Sequence, residues 1–357
     1  MQSSISMAKS ASAADITFSD DYDYPLMHGG EIAAARRMFA EAPEPFIDLS
    51  TGINPYSYPL PQLSPELFER LPDPQTLGAL AAIAAQAYGA PSAAHVVPAP
   101  GTQILLPLAA GLIGPARAAV VAPTYGEHVR AAGLAGHRVT EIADLDAVHE
   151  TMLVFVTNPN NPDGRLFDKN DLIALAKRLE ARGGLLVVDE AFMDVGPPDA
   201  GLASEVGRNR IVVLRSFGKF FGLGGLRLGF ALAAPPLAAR LAAKVGPWAV
   251  SGPALAIGAK ALTDRAWIKQ TRRRLIDAAV RLDAILSHAG LEIVGGTALF
   301  RLARASFAHD LFLHLGRAGI LVRKFQQQPS WLRFGLPAAE EAWTRLQIAM
   351  ADYANSR

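Results

Sequence analysis

Ser216-Phe217-Gly218-Lys219-Phe220-Phe221-Gly222-Leu223-Gly224-Gly225-Leu226-Arg227-Leu228-Gly229-Phe230 is the stretch that decides how the rest of the chain is read. One lysine stands among glycines, aromatics and aliphatics, with a hydroxyl three residues before it and an arginine eight residues after it. Lysines normally occupy solvated surface. Burial disfavours the ammonium form, lowers the pKa and leaves an amine able to attack a carbonyl. On this stretch alone two readings of Lys219 are open. It is a Schiff-base lysine for pyridoxal phosphate, or it snorkels from a strand-to-loop turn.

Upstream, strands and helices alternate, the pattern of a mostly parallel sheet. Strands are expected at residues 96–98, 118–122, 153–157, 185–188, 211–214 and 226–232, with helices at 74–88, 127–134 and 169–182 between them. Four residues then fall at or just past strand ends: Tyr125, Asn161, Asp189 and Ser216. In open α/β sheets that edge is where ligands bind. Gly101-Thr102, opening a helix after the 96–98 strand, makes a phosphate seat from free backbone N–H groups and a hydroxyl. Each of these has an ordinary explanation as turn or capping chemistry. Six of them with Lys219 on one edge are hard to explain that way together.

Downstream, Pro235-Pro236 breaks the pattern, and a helix over 237–245 follows. A long helix over 253–289, bent or broken near Thr263, carries Arg265, Lys269, Arg272, Arg273 and Arg274, read as a solvated face. Strands at 291–294, 299–302, 320–323 and 331–335 with helices at 309–318 and from 338 predict a smaller α+β domain. The division expected is an arm over 1–60, packing on the small domain and active site, a large domain over 61–245 and a small domain over 246–357. In the arm, His28-Gly29-Gly30 precedes a short helix, and a strand over 46–49 runs into Ser50-Thr51-Gly52-Ile53-Asn54-Pro55-Tyr56. Residues 1–14 read as a frayed terminus rather than a signal peptide.

The bulk numbers exclude several classes. Half of the 357 residues are hydrophobic and 19% are charged, which suits a globular chain with a sizeable core. A net charge of +1 gives no electrostatic case for nucleic acid or an anionic membrane. With no cysteine, disulfides, thiolate metal sites and cysteine nucleophiles are excluded. No metal site is expected. No apolar run reaches membrane-helix length, and a cytoplasmic location is expected.

Taken together, these residues resemble the fold-type I pyridoxal-phosphate enzymes, the aspartate aminotransferase superfamily. Asn161-Pro162-Asp163-Gly164 looks like that family's Asn-Pro-Thr-Gly turn, Asp189 follows 28 residues later, and Lys219 has Ser216 and Arg227 at family spacing. The resemblance covers nearly the whole chain. It implies a seven-stranded, mostly parallel large-domain sheet between helices, with a smaller α+β C-terminal domain. Within the superfamily the arm motif and Asp189-Glu190-Ala191-Phe192 resemble the threonine-phosphate decarboxylases of cobalamin synthesis. Histidinol-phosphate aminotransferases are the alternative, and they commonly have tyrosine where Phe192 stands. A non-catalytic effector module is the other, and the arm is too short and too weakly basic for its DNA-binding domain.

The resemblance also implies roles. Lys219 bears the cofactor, Asp189 pairs with its pyridine nitrogen, Asn161 donates to its phenolic oxygen without help from Phe192, and Tyr125 stacks on its ring. Gly101, Thr102, Ser216 and Arg227 cradle its phosphate, joined by Tyr56 from a partner subunit; a homodimer is expected. Gly218 departs from the hydroxyl often found before the lysine, which leaves one donor fewer. Arg333 grips the substrate α-carboxylate. Arg323 and His28, with backbone donors of Gly29 and Asn54, hold the phosphate of a small phosphorylated amino acid.

Overall fold

The computed structural model describes residues 28–357. The expectations for residues 1–14 and for the rest of the arm before His28 lie outside them. The described residues form twelve strands in two sheets. They are β1 (Ile47–Leu49), β2 (Val96–Ala99), β3 (Arg117–Val121), β4 (Arg138–Ile142), β5 (Leu153–Thr157), β6 (Leu185–Asp189), β7 (Ile211–Ser216), β8 (Gly229–Ala233), β9 (Glu292–Thr297), β10 (Phe300–Arg304), β11 (Ile320–Lys324) and β12 (Trp331–Gly335).

The larger sheet has seven strands in the order β2-β8-β7-β6-β5-β3-β4. β7, β6, β5, β3 and β4 pair in parallel, and β8 runs antiparallel to both β7 and β2. Every residue of β5, β6, β7 and β8 is buried. That is why these strands read as unbroken apolar runs. Alternate side chains face opposite layers, as a strand's period of two requires. Leu153, Phe155, Leu185 and Val187 join the helices Thr102–Ala110, Glu127–Leu134 and Pro235–Val245 on one side. Val154, Val156, Leu186 and Val188 join Pro74–Tyr88, Lys169–Glu180 and Gly252–Thr263 on the other.

The smaller sheet has the order β1-β11-β12-β10-β9, so the arm's strand pairs in parallel with β11 at one edge of it.

Three expectations are corrected. β4 has no counterpart in the strands read from sequence; it is an edge strand whose burial alternates irregularly, and Val139 is its one buried residue. The strand expected over 226–232 begins only at Gly229. Residues Gly224–Leu226 form a 3₁₀ turn, and Arg227 has φ +55°. The long basic helix breaks near Thr263 as expected, into Gly252–Thr263 and Arg265–His288, and the reading of its basic face is what changes. Asp264 separates them, and its carboxylate caps the second by accepting the Trp267 N–H at 3.0 Å. Its basic face is not all solvated: Arg272 Nε donates to the Asp194 carbonyl at 2.8 Å, and the Arg274 guanidinium lies 3.4 Å from the Tyr56 ring centroid.

The turn after β5 packs backbone to backbone against β9. Gly164 has φ +75°, and a methyl there would overlap the Gly296 carbonyl; one on Gly295 would overlap the Asp163 carbonyl. Gly164→Ala combines left-handed strain with overpacking, so it should destabilise the protein by about 2–4 kcal/mol. A urea midpoint equal to the wild type's would refute this close packing.

Candidate active site

β3, β5, β6 and β7 are adjacent and parallel, so their C-terminal ends open on one edge of the sheet. β2 runs the same way across the antiparallel β8. The structure thereby brings Gly101, Tyr125, Asn161, Asp189, Ser216 and Lys219 to that edge. This is the placement open α/β sheets give to ligand sites.

Lys219 lies in the short helix Phe217–Phe220, which begins directly after β7. Burial pushes its ammonium down to about 8, and the nearby guanidiniums of Arg333 and Arg227 act in the same direction against Asp189. Its Nζ is 5.7 Å from the centre of the Phe192 ring, which packs edge-on against Phe300. Gly218 is explained by space: a methyl there would sit 2.9 Å from Gly224 Cα, so no hydroxyl residue fits before the lysine.

Asp189 ends β6 and is 6% exposed. Its Oδ1 accepts the Ala191 N–H at 3.0 Å, and its Oδ2 lies 2.9 Å from His128 Nε2. His128 is fully buried, stacks on Phe155 and meets the Tyr125 ring edge-on. Sequence reading missed His128, since nothing in Glu127-His128-Val129 separates it from an ordinary helix residue. Tyr125 donates its hydroxyl to Gln103 Oε1 at 3.1 Å, and Gln103 Nε2 donates to Glu127 Oε2 at 2.5 Å. Burial first, then Glu127 and Asp189, push the Tyr125 phenol up to about 12, so it remains a neutral donor.

A cradle for an anion lies beside Lys219. Gly101 (φ +88°) precedes the helix Thr102–Ala110 with no side chain capping its first N–H groups. Those N–H groups and the positive end of the helix dipole suit an anion. A methyl on Gly101 would stand 2.6 Å from Arg227 Nη2, so the glycine lets the guanidinium close against the helix start. Arg227 Nη1 donates to the Gly224 carbonyl at 2.9 Å. Ser216, at the end of β7, is 9% exposed.

Two arginines complete the cluster. Arg323 on β11 and Arg333 on β12 are in-register neighbours. Neither has a carboxylate within 4 Å among the described residues, unlike the paired Arg36, Arg215 and Arg304. Burial pushes Arg333 down to about 10, with Arg323 adding to it, and burial also lowers Arg323. Arg333 donates from Nη1 to Asn161 Oδ1 and from Nη2 to the Ser50 carbonyl at 2.7 Å. With its Oδ1 engaged, Asn161 keeps its amide hydrogens for another acceptor.

His28 sits 3.6 Å from Glu127 Oε1, with its ring 5.9 Å from that of Tyr125. Gly29 is pressed onto the Ser50 carbonyl. One arm residue stands differently from expectation. The Asn54 backbone N–H donates to the Lys219 carbonyl at 2.9 Å, and its side chain donates to the Phe220 carbonyl at 2.7 Å. Asn54 therefore has no backbone donor left for a phosphate and instead staples the arm to the Lys219 helix. Tyr56 lies under Arg274 of its own chain.

The donor set fits pyridoxal phosphate: an amine for its aldehyde, a buried carboxylate for its pyridine nitrogen, an amide for its phenolic oxygen and an unfilled cradle for its phosphate. Among the described residues no group of three His, Asp or Glu is placed to hold a metal, and no helix is long and apolar enough to cross a membrane.

Residues 44–347 match the family model for aminotransferase class I and II. The chain belongs to this family. Among class I and II relatives, threonine-phosphate decarboxylase of Sinorhizobium sp is 44% identical over 329 residues, spanning 92% of this chain and 98% of the relative. The enzyme of that name from Pseudomonas aeruginosa is 42% identical over 334 residues, with the same coverage of 92% and 98%. A solved structure of histidinol-phosphate aminotransferase from Sinorhizobium meliloti, in complex with pyridoxal-5'-phosphate, superposes with a TM-score of 0.80. That match covers 95% of this chain and 99% of the other at 21% identity, and shows the class I and II fold.

Proposed function

We propose that the protein is a pyridoxal-phosphate-dependent L-threonine O-3-phosphate decarboxylase. It releases CO₂ and (R)-1-amino-2-propanol O-2-phosphate, the linker unit of cobalamin. The observation that carries this reading is the adjacent pair Arg323 and Arg333, both without a carboxylate partner among the described residues, next to a lysine lowered to about 8. A buried and a half-buried cation without carboxylate partners call for anionic groups on the ligand, and this substrate brings a carboxylate and a phosphate together. Identities of 44% and 42% over nearly the full length of two threonine-phosphate decarboxylases support the same reaction.

Bound pyridoxal phosphate supplies an electron sink for the pair left behind when a bond to the substrate's Cα breaks. The chain's residues do the rest. Asp189, steadied by His128, holds the pyridine nitrogen protonated. Asn161 donates to the phenolic oxygen, Tyr125 covers the ring face, and Gly101, Thr102, Ser216 and Arg227 hold the cofactor phosphate. Arg333 takes the carboxylate with paired donors. Arg323, His28 and the Gly29 backbone take the substrate phosphate. Once CO₂ has left, the Lys219 ammonium returns a proton to Cα.

A holoenzyme offered threonine phosphate without any keto acid should turn over many times. Conversion only of histidinol phosphate with 2-oxoglutarate would instead make it an aminotransferase.

The lowered lysine gives a pH prediction. Only the free amine attacks the cofactor's aldehyde. Capture of pyridoxal phosphate by the apoenzyme, followed as growing yellow absorbance, should rise about tenfold per pH unit and flatten above about 8. An ordinary lysine would keep climbing towards 10.5.

The protein is proposed to act as a homodimer in the cytoplasm. Phe68 on the helix Glu66–Glu69, Leu71 just after it and Trp248 ahead of the helix Gly252–Thr263 are exposed apolar residues that a second copy would cover, and the two helices are in contact. Tyr56 would then serve the partner's phosphate cradle. Light scattering at twice the chain mass supports the dimer, and a monomer would remove it.

A further inference from the structure

We propose that Asp48 and Ser50 are positioning residues that select which bond at the substrate's Cα breaks, by fixing the Arg333 guanidinium through the Ser50 carbonyl. The proposal rests on the decarboxylase reading above.

The argument begins with how Arg333 is held. A guanidinium is planar and rigid, so two bonds at separate nitrogens set its plane. Nη1 is tied to Asn161 Oδ1 on the cofactor side, and Nη2 to the Ser50 carbonyl on the arm side. Nε is buried with no hydrogen-bond partner among the described residues, so apart from the Phe300 ring 5.2 Å below the guanidinium these two bonds set its direction. The Ser50 carbonyl is one of two points that aim the remaining N–H groups at a carboxylate.

Ser50 is itself locked. It is 2% exposed. Its backbone N–H and its hydroxyl both donate to Asp48 Oδ1, at 2.8 and 2.5 Å. Its Oγ accepts the Gly30 N–H at 2.7 Å. Gly29 has no room for a side chain against the Ser50 carbonyl. Asp48 is in turn fixed in β1, opposite Leu321 of β11, two residues from Arg323. One carboxylate oxygen thus holds the residue whose carbonyl holds the arginine.

This placement bears on reaction choice. The bond that breaks is the one perpendicular to the cofactor ring, because only there can its electrons merge with the ring system. Turning the substrate by one staggered position exchanges the Cα–carboxylate bond for the Cα–H bond. Displacement of a held group by about 1 Å costs about 10²-fold in rate. An arginine freed on its arm side would hold the carboxylate less strictly, and Cα–H cleavage would compete.

The test runs holoenzyme with threonine phosphate in D₂O. Decarboxylation breaks the Cα–carboxylate bond, releases CO₂ and places a deuteron on the product. Misdirected cleavage breaks Cα–H, loses the proton to solvent and places a deuteron on Cα of recovered substrate, which NMR detects. Wild type should release CO₂ with almost no deuterium in recovered substrate. Asp48→Ala and Ser50→Ala should raise deuterated substrate per CO₂ at least about tenfold, while Asp48→Asn, which keeps the accepting oxygen, should restore the wild-type ratio. In the apoenzymes, the Gly30 amide should lose hydrogen-exchange protection in both alanine variants and keep it in Asp48→Asn. An unchanged ratio in folded alanine variants, or unchanged Gly30 protection, overturns the proposal. No CO₂ from the wild type would overturn the decarboxylase reading, and this proposal with it.

Discussion

Lys219→Ala should lower CO₂ release from threonine phosphate by about 10⁴-fold or more and abolish the yellow absorbance of bound pyridoxal phosphate. The two losses have one cause. The lysine is the amine in the cluster whose proton affinity has been brought down to about 8, so it alone is ready to bond the cofactor's aldehyde. On the proposed mechanism it also returns the proton to Cα, and positioned proton transfer contributes about 10²–10⁴-fold by itself. The fold should be little disturbed, because the Lys219 backbone carbonyl that anchors Asn54 remains in place. Absorbance and multiple-turnover CO₂ assays check this. A variant that keeps the yellow species would mean another amine holds the cofactor.

Asp189→Asn should leave the cofactor bound and coloured yet lower kcat by about 10²–10⁴-fold. Asparagine keeps the size and one accepting oxygen for the Ala191 N–H, but it removes the charge beside His128. Breaking a buried charge pair typically costs about 3–5 kcal/mol. Here much of that cost falls on the protonated pyridine nitrogen, whose charge makes the cofactor an electron sink. Its signature therefore differs from that of Lys219→Ala, with colour retained and rate lost. A kcat within threefold of the wild type would remove Asp189 from this role.

The sequence carried the outline of the larger sheet because its central strands are buried on both faces, and that leaves unbroken apolar runs. β4 was not legible, since an edge strand needs few buried positions and Arg138–Ile142 supplies one. The start of β8 was misplaced because Leu226 and Leu228 look strand-like, while Arg227 holds a left-handed backbone that composition does not announce. In the candidate site, Lys219, Asp189 and Asn161 could be named from their side-chain type at or just past a strand end, while Arg333, in the middle of β12, was named only through the family resemblance. His128 could not, because its meaning comes from facing Asp189 across the sheet. Ser50 acts on Arg333 through a backbone carbonyl, and no side chain encodes that. Asn54 shows the converse. The resemblance implied its backbone N–H as a donor for a ligand, and that N–H is spent on the Lys219 carbonyl.

The most direct test of the central claim is a single incubation of holoenzyme with threonine phosphate carrying ¹³C at the carboxyl carbon, in the absence of any keto acid. The account predicts one labelled CO₂ for each aminopropanol phosphate formed, over many turnovers of each enzyme molecule. Label that stays in a carboxylate, with turnover appearing only once 2-oxoglutarate is added, would contradict it.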